Sequence, residues 1–197
     1  MNLNTISDST NNLFMIDCKD VILREYREED MQELHAITQQ PEVLEYLPWW
    51  EHTIEQRFYW FLNYESKDNQ QFYQAITKGE DLGSLYLRLI IISKETGEII
   101  GCCGTGIKEE LPPPNREIFY IISNKYANRG FTTQAVQGFT KYLFHNTNLE
   151  ELCAIALERN IASNRVIQKC GFDFLSSIDL DQENYYYYKL FKNSTMC

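Results

Sequence analysis

Apolar residues fall along this chain in blocks whose period switches between two and about 3.6, so the blocks predict strands and helices in turn. After a polar stretch rich in Asn, Ser and Thr, Val21-Ile22-Leu23-Arg24-Glu25-Tyr26 reads as a first strand. From Glu28 to Gln39, Met31, Leu34, His35 and Thr38 share one helical face, and Pro41 closes the helix. Ile54, Phe58, Phe61 and Leu62 recur at helical spacing behind Thr53, a natural N-cap. Two strands, Ser84–Ile92 and Glu98–Lys108, flank a turn marked by Gly97 and predict an antiparallel hairpin. A fourth strand covers Glu117–Ile122. A helix follows over Phe131–Phe144, with Ala135, Val136, Phe139, Tyr142 and Leu143 inward.

Leu152–Leu157 is apolar on both faces, as a central strand requires. Asn160 then opens a short helix with Ala162, Val166, Ile167 and Cys170 inward, and Gly171 stands where a left-handed residue ends it. Phe172–Ile178 and Tyr185–Phe191 complete the count. The pattern predicts a mixed α/β (α+β) single domain: a largely antiparallel sheet of seven strands with about four helices. Its expected limits are a flexible leader over 1–17, a domain over 18–192 and a tail over 193–197. No internal repeat or dividing linker appears.

Composition narrows the function classes. The chain has 44% hydrophobic residues, enough for one continuous core, and its 18 Lys and Arg against 28 Asp and Glu leave a net charge of −10. Such a surface repels phosphate backbones and anionic lipid and attracts a cationic amine, so no nucleic acid and no membrane partner is expected. No stretch approaches the ~20 apolar residues of a membrane helix, and the N-terminus lacks the basic and apolar regions of a signal peptide. Six cysteines include no C-x-x-C pair and no His at ligand spacing, so no metal is expected. Several sit in apolar runs and read as small buried hydrophobes of a reducing compartment, the cytoplasm being the simplest.

The motifs of P-loop NTPases, dinucleotide binders, α/β-hydrolases and zincins are all absent. What remains is the segment Ser123-Asn124-Lys125-Tyr126-Ala127-Asn128-Arg129-Gly130-Phe131-Thr132-Thr133-Gln134-Ala135, which joins a buried strand to an amphipathic helix. Gly130 permits close backbone approach and the helix N-terminus offers unpaired N–H groups, so an anion can be bound there. The alternative is an ordinary strand-helix turn with a capping Thr. Tyr46, Trp49 and Trp50 exceed the helical stripe that follows them; they either line a ligand cleft or cover the core edge.

At these residues the chain resembles the GNAT superfamily of N-acetyltransferases, and within it the branch typified by the RimJ/RimL ribosomal-protein acetyltransferases. Glu117–Ile122 looks like that branch's fourth strand. Asn128-Arg129-Gly130-Phe131-Thr132-Thr133-Gln134-Ala135 is similar to its pyrophosphate loop, and Asn160-Ile161-Ala162-Ser163 through Lys169-Cys170-Gly171-Phe172 to its N-x-x-S helix. The resemblance spans about Val21 to Phe191. It implies acetyl-CoA lying between the strands Glu117–Ile122 and Leu152–Leu157, paired with main chain near Ile121 and Ile122. Its pyrophosphate would meet Ala127, Asn128, Arg129, Gly130, Phe131, Thr132 and Thr133, with Asn160 and Ser163 beside the pantetheine arm. The loop departs from the family pattern at Ala127, Asn128 and Thr132. Ile167 stands where many members carry a Tyr that protonates the departing thiolate, which leaves a Tyr from Tyr185–Tyr188, or solvent, for that task.

For the base, Glu117 is the candidate, a carboxyl among apolar neighbours whose burial raises its pKa; the alternative is an exposed strand-end carboxylate. Tyr46, Trp49 and Trp50 are the expected substrate-side residues, with Glu42, Glu45, Glu51 and Glu55 around the Trp pair and His52 as a further contact. The implied activity is transfer of acetyl from acetyl-CoA to a primary amine, either a protein N-terminus or a small cationic amine. The alternative is a catalytically weak CoA-binding sensor of the same fold. Either a monomer or a homodimer is compatible with the sequence.

Overall fold

A computed structural model describes residues 14–192; residues 1–13 and the tail over 193–197 lie outside the described residues. The chain builds one eight-stranded sheet in the order β1-β2-β3-β4-β5-β6-β8-β7. The strands are β1 (Met15–Asp17), β2 (Val21–Glu25), β3 (Leu87–Ser93), β4 (Ile99–Ile107), β5 (Arg116–Ile122), β6 (Glu151–Leu157), β7 (Asp173–Leu180) and β8 (Glu183–Phe191). The helices are α1 (Met31–Thr38), α2 (Pro41–Leu44), α3 (Ile54–Trp60), α4 (Ser66–Lys78), α5 (Phe131–Asn146) and α6 (Ile161–Lys169). All pairings are antiparallel except β5 with β6, so the mixed α/β expectation holds with one strand more than expected.

The extra strand is β1, which lies inside the expected leader and corrects that boundary. Met15, Ile16 and Asp17 pair with Arg24, Leu23 and Ile22, and Ile16 is buried. Three residues with a single apolar side chain turned inward carry too short an alternation to register as a strand. Two helical differences have similar causes. Pro41 starts α2 rather than merely closing α1, since proline at the first helical position gives up no hydrogen bond. After α3 the chain continues through a π-helical turn, Phe61–Glu65, into α4, whose polar sequence buries only Asn69, Phe72 and Ala75. The π turn shifts the buried face onto Arg57, Phe61 and Glu65, where Arg57 and Glu65 form a buried ion pair, and leaves Leu62 exposed rather than inward.

Local signals were otherwise obeyed. Thr53 Oγ1 accepts from Gln56 N at 3.3 Å while Gln56 Oε1 accepts from Thr53 N at 2.8 Å, a complete capping box at the start of α3. Asn160 Oδ1 accepts from Ser163 N at 3.0 Å and caps α6. Within α6 the buried positions are Asn164 and Ile167, with Cys170 buried just beyond, while Ala162 is exposed, contrary to expectation.

The core lies on both faces of the sheet. One layer packs α5 and α6 over Leu23, Leu89, Ile118, Leu152 and Tyr188. The other packs α1, through Met31, Leu34 and Ile37, with Phe61 over Ile90, Cys102 and Ile121. Cys102, Cys103, Cys153 and Cys170 are buried free thiols, as expected of small core residues; Cys18 is half-buried. Burial pushes Cys102 up to about 11 and Cys153 and Cys170 to about 12, so they stay protonated. No helix among the described residues is long and apolar enough to cross a membrane.

The spacing of β4 and β5 depends on small residues. A Cβ added at Gly101 would lie 2.2 Å from the carbonyl oxygen of Ile121. Because the clash is with backbone, Gly101→Ala is expected to cost about 2 kcal/mol or more and to lower the thermal midpoint; an unchanged midpoint would contradict the close strand approach.

Candidate active site

The site begins with a fault in the sheet. β5 and β6 run parallel but are bridged at one pair, Glu117 with Cys153, near the start of each strand. Beyond it the strands separate. Ser123 N donates to Ile100 O at 2.7 Å across β4, and main-chain groups alternate sides along a strand. Ile121 therefore turns its main chain to β4, whereas Tyr120 and Ile122 turn theirs into the gap. Of the two expected main-chain contacts, only Ile122 faces the opening, and Tyr120 replaces Ile121. Side chains alternate too: Glu117, Phe119 and Ile121 lie on the α1 face, and Ile118, Tyr120 and Ile122 on the α5–α6 face.

A continuous cleft of roughly 1810 Å³ passes along this gap. On the α1 side it is lined by Tyr46, Trp49, Trp50, His52 and Glu117, and on the other by Ile122, Ala127, Asn128, Gly130, Thr132, Thr133, Asn160 and Ser163. Almost every residue singled out in the sequence is thus brought to one cavity. Trp49 is 61% exposed at the rim, while Trp50 is half-buried against the α1 core. Tyr46 lies beneath the Arg159 guanidinium, 5.8 Å from the ring centre. His52 packs edge-on to His35 and tilted against Trp60, and burial holds its pKa below the usual imidazole value.

Glu117 is half-buried at the closed end of the gap. Burial raises its carboxyl to about 7; Lys108 pulls it down and Glu110 pushes it up. Lys108 Nζ itself donates to Glu110 Oε1 at 3.0 Å, so these two flank Glu117 as a nearly neutral pair. A carboxyl balanced near neutrality can accept and release a proton at physiological pH.

The cations of the loop after β5 are drawn away from the cleft. Arg129 pairs with Glu95 at 3.0 Å and lies over the rings of Tyr126 and Phe131; Lys125 pairs with Glu98 at 2.9 Å. Neither cation lines the cleft, nor does Phe131, which is a core residue. Of the cations that do line it, Arg57, Arg88, Lys108 and Arg159 are paired with carboxylates, whereas Arg165 and Lys169 have no ion pair among the described residues. Sequence reading had the signal: Arg165 and Lys169 stand four apart on the exposed face of a helix whose N-cap was identified. The loop backbone fits an anion. Asn128 and Gly130 have φ of 61° and 79°, and a Cβ at Gly130 would touch nothing, so the surface above it is open.

The acidic rim is also placed elsewhere. Of Glu42, Glu45, Glu51 and Glu55, only Glu42 lines the cleft, and its carboxylate accepts from Asn124 Nδ2 at 2.6 Å. The acids around the mouth near Glu117 are Glu109, Glu110, Asp181 and Glu183, brought in by the end of β4 and the β7–β8 turn. The hydroxyls nearest the gap on the α6 side are Tyr120 and Ser163, 2.9 Å apart, whereas Tyr188 is buried and donates to Asn164. Tyr185 alone of Tyr185–Tyr188 lines the cleft. No group of His, Cys, Asp or Glu that could hold a metal occurs among the described residues.

A family model described as an acetyltransferase (GNAT) domain matches residues 20–173. The chain is 27% identical over 156 residues to a Bacillus subtilis (strain 168) protein named uncharacterized N-acetyltransferase YnaD, covering 79% of this chain and 81% of that one. Among solved structures, AAC(6')-Ib in complex with ribostamycin and coenzyme A superposes with a TM-score of 0.69 at 18% identity, covering 89% of this chain and 96% of that one. RimL, a ribosomal L7/L12 α-N-protein acetyltransferase, gives a TM-score of 0.68 at 16% identity, covering 95% and 99%. The likeness to these two structures is one of fold.

The electrostatic setting of Glu117 is directly testable. Its carboxyl should titrate near 7 by NMR, higher in Lys108→Met and lower in Glu110→Gln; a midpoint at the ordinary glutamate value in all three proteins would refute the buried setting.

Proposed function

The chain belongs to the GNAT acetyltransferase family, and on that premise we propose that it transfers acetyl from acetyl-CoA to a primary amine, with a small cationic amine as the acceptor class. The single observation that carries this reading is the gap between β5 and β6, open to both faces of the sheet with Glu117 at its closed end. A thioester entering from the α5–α6 face and an amine entering from the α1 face would meet there. Holding the two together removes most of the entropic barrier of a bimolecular step.

Bound acetyl-CoA supplies an activated acyl group. The residues of this chain do the rest. Main chain of Tyr120 and Ile122 would pair with the pantetheine arm as a strand does, and the amides from Asn128 to Thr132 would receive the pyrophosphate at the start of α5. Arg165 and Lys169 supply the positive charge that Lys125 and Arg129 do not. Asn160 uses its Oδ1 in the α6 cap, which leaves its Nδ2 to donate into the cleft. Glu117 takes a proton from the acceptor ammonium, and the neutral amine so formed is the nucleophile. The Tyr120–Ser163 hydroxyl pair stands where it could hydrogen-bond the departing thiolate, but burial pushes the Tyr120 hydroxyl up and makes it a weak acid, so solvent supplies the proton.

On the acceptor side, Tyr46, Trp49 and Trp50 form an aromatic wall, and Glu109 and Asp181, which unlike Glu110 and Glu183 have no ion pair among the described residues, give the mouth its negative charge. A cationic amine is favoured there by both features. A module that only bound CoA would gain nothing from a carboxyl balanced near neutrality at the closed end of the gap. The catalytic domain in this reading covers 15–192, the expected 18–192 extended by the edge strand β1, and its buried thiols suit the cytoplasm.

Two results test the assignment. Glu117→Gln should lower kcat by about 10²-fold or more with CoA affinity nearly unchanged, and the rise of activity as pH passes about 7 should vanish; an unaltered pH profile would remove Glu117 as base. Gly130→Val, strained at φ 79°, should abolish CoA binding by calorimetry, and unaffected affinity would displace the loop from the cofactor site. Across a panel of polyamines, aminoglycosides and N-terminal peptides, polycationic amines should give the highest kcat/KM; preference for uncharged peptides would overturn the acceptor class.

A further inference from the structure

The loop Ser123–Gly130 contains no acid, yet two carboxylates from the β3–β4 turn reach it. Tyr126 is 3% exposed, and its hydroxyl donates to Glu98 Oε2. Thr96 Oγ1 stands 3.3 Å from the same hydroxyl, and Lys125 Nζ donates to both oxygens of Glu98 at 3.1 and 2.9 Å. The Tyr126 ring also carries Arg129 at 5.5 Å and packs against Phe131 at 6.1 Å. Tyr126 N donates to Ser123 O at 2.8 Å and Ala127 N to Asn124 O at 3.1 Å, so the side chain sits at the pivot where the backbone turns toward its two positive-φ residues. Tyr126 faces the cleft as well as the core.

An acid beside a phosphate site is unfavourable by charge alone, so Glu98 needs a reason to be there. We propose that Glu98, acting through the Tyr126 hydroxyl, is a positioning residue that fixes the Ala127–Gly130 backbone in its anion-receiving conformation, and that Lys125 serves to neutralise Glu98 rather than to bind phosphate. The inference rests on the assignment of this loop to the pyrophosphate in the proposed function. A preformed loop loses less conformational entropy on binding, which gives affinity without any new contact. The hydroxyl-carboxylate bond supplies the holding force, since hydrogen bonds to charged groups are the strong ones.

The two effects have opposite signs in one variant. Glu98→Gln frees the Lys125 cation beside the loop, which by charge alone would tighten CoA binding, while it weakens the hold on Tyr126, which loosens binding. Calorimetry with CoA should show about tenfold weaker binding for both Glu98→Gln and Tyr126→Phe. The double variant should be little weaker than either alone, because the two residues act as one unit. Glu95→Gln, which frees Arg129 without touching the Tyr126 hydroxyl, should not weaken binding. With S-acetyl-pantetheine, a donor lacking the pyrophosphate, both variants should turn over as the parent does. Unchanged or tighter CoA binding in Glu98→Gln, or an equal loss with the truncated donor, would overturn the proposal. If Gly130→Val abolishes CoA binding while Tyr126→Phe does not affect it, the anchor alone falls. If neither substitution matters, the loop assignment falls and the anchor with it.

Discussion

Two parallel strands that would ordinarily share a ladder, β5 and β6, meet at Glu117 and Cys153 and are bridged nowhere else along their lengths. Buried main-chain N–H and C=O groups rarely go unpaired. The groups of Tyr120 and Ile122 that face the opening therefore need a partner that no neighbouring strand supplies. An extended amide-bearing ligand fits that need. The same fault makes the sheet permeable, so two reactants held on opposite faces can touch, and it fixes where a base must stand. The rest of the molecule preserves this opening: α5 and α6 pack one face, α1 and Phe61 the other, and Gly101 keeps β4 close against β5.

Electrostatics are arranged around that opening rather than spread over the surface. The net charge of −10 conceals a division of the cleft into two ends. Arg165 and Lys169 stand near the loop that opens α5, and Glu109, Glu110, Asp181 and Glu183 stand near the opposite mouth. Glu117 lies between them, with its charge set by burial against the pull of Lys108. Lys125 and Arg129, the cations nearest the loop in sequence, are consumed by Glu98 and Glu95. Charge adjacency along the chain is thus a poor guide to the field at a site, because a hairpin distant in sequence can cancel it.

The architecture was legible wherever a segment buried one clean stripe. β2 to β6, β8, α1, α5 and α6 follow their apolar periods, β7 keeps its expected place though nearly all of it is exposed, α3 buries only Arg57, and Thr53, Asn160 and Gly171 mark boundaries as cap chemistry dictates. β1 and α4 were not legible, since one turns a single apolar residue inward and the other lies half in water with Asn69 among its buried positions. At the candidate site, cleft-lining residues in contiguous motifs were legible: Glu117, Ala127, Asn128, Gly130, Asn160 and Ser163. Residues assembled by topology were not. Tyr120 required the hydrogen-bonding parity of β5, and Asp181 and Glu183 required the β7–β8 turn to fold over the cleft. Leu62 failed for a third reason, a π turn centred on a buried ion pair that no hydrophobic period encodes.

The central claim is that the gap beside β5 and the loop at the start of α5 form one binding surface for acetyl-CoA. Amide hydrogen exchange with and without saturating CoA tests it most directly. Exchange should slow at Tyr120, Ile122 and from Asn128 to Thr132, and stay unchanged in β2 and β3. Protection confined to other elements, with those amides unaffected at saturation, would contradict the account.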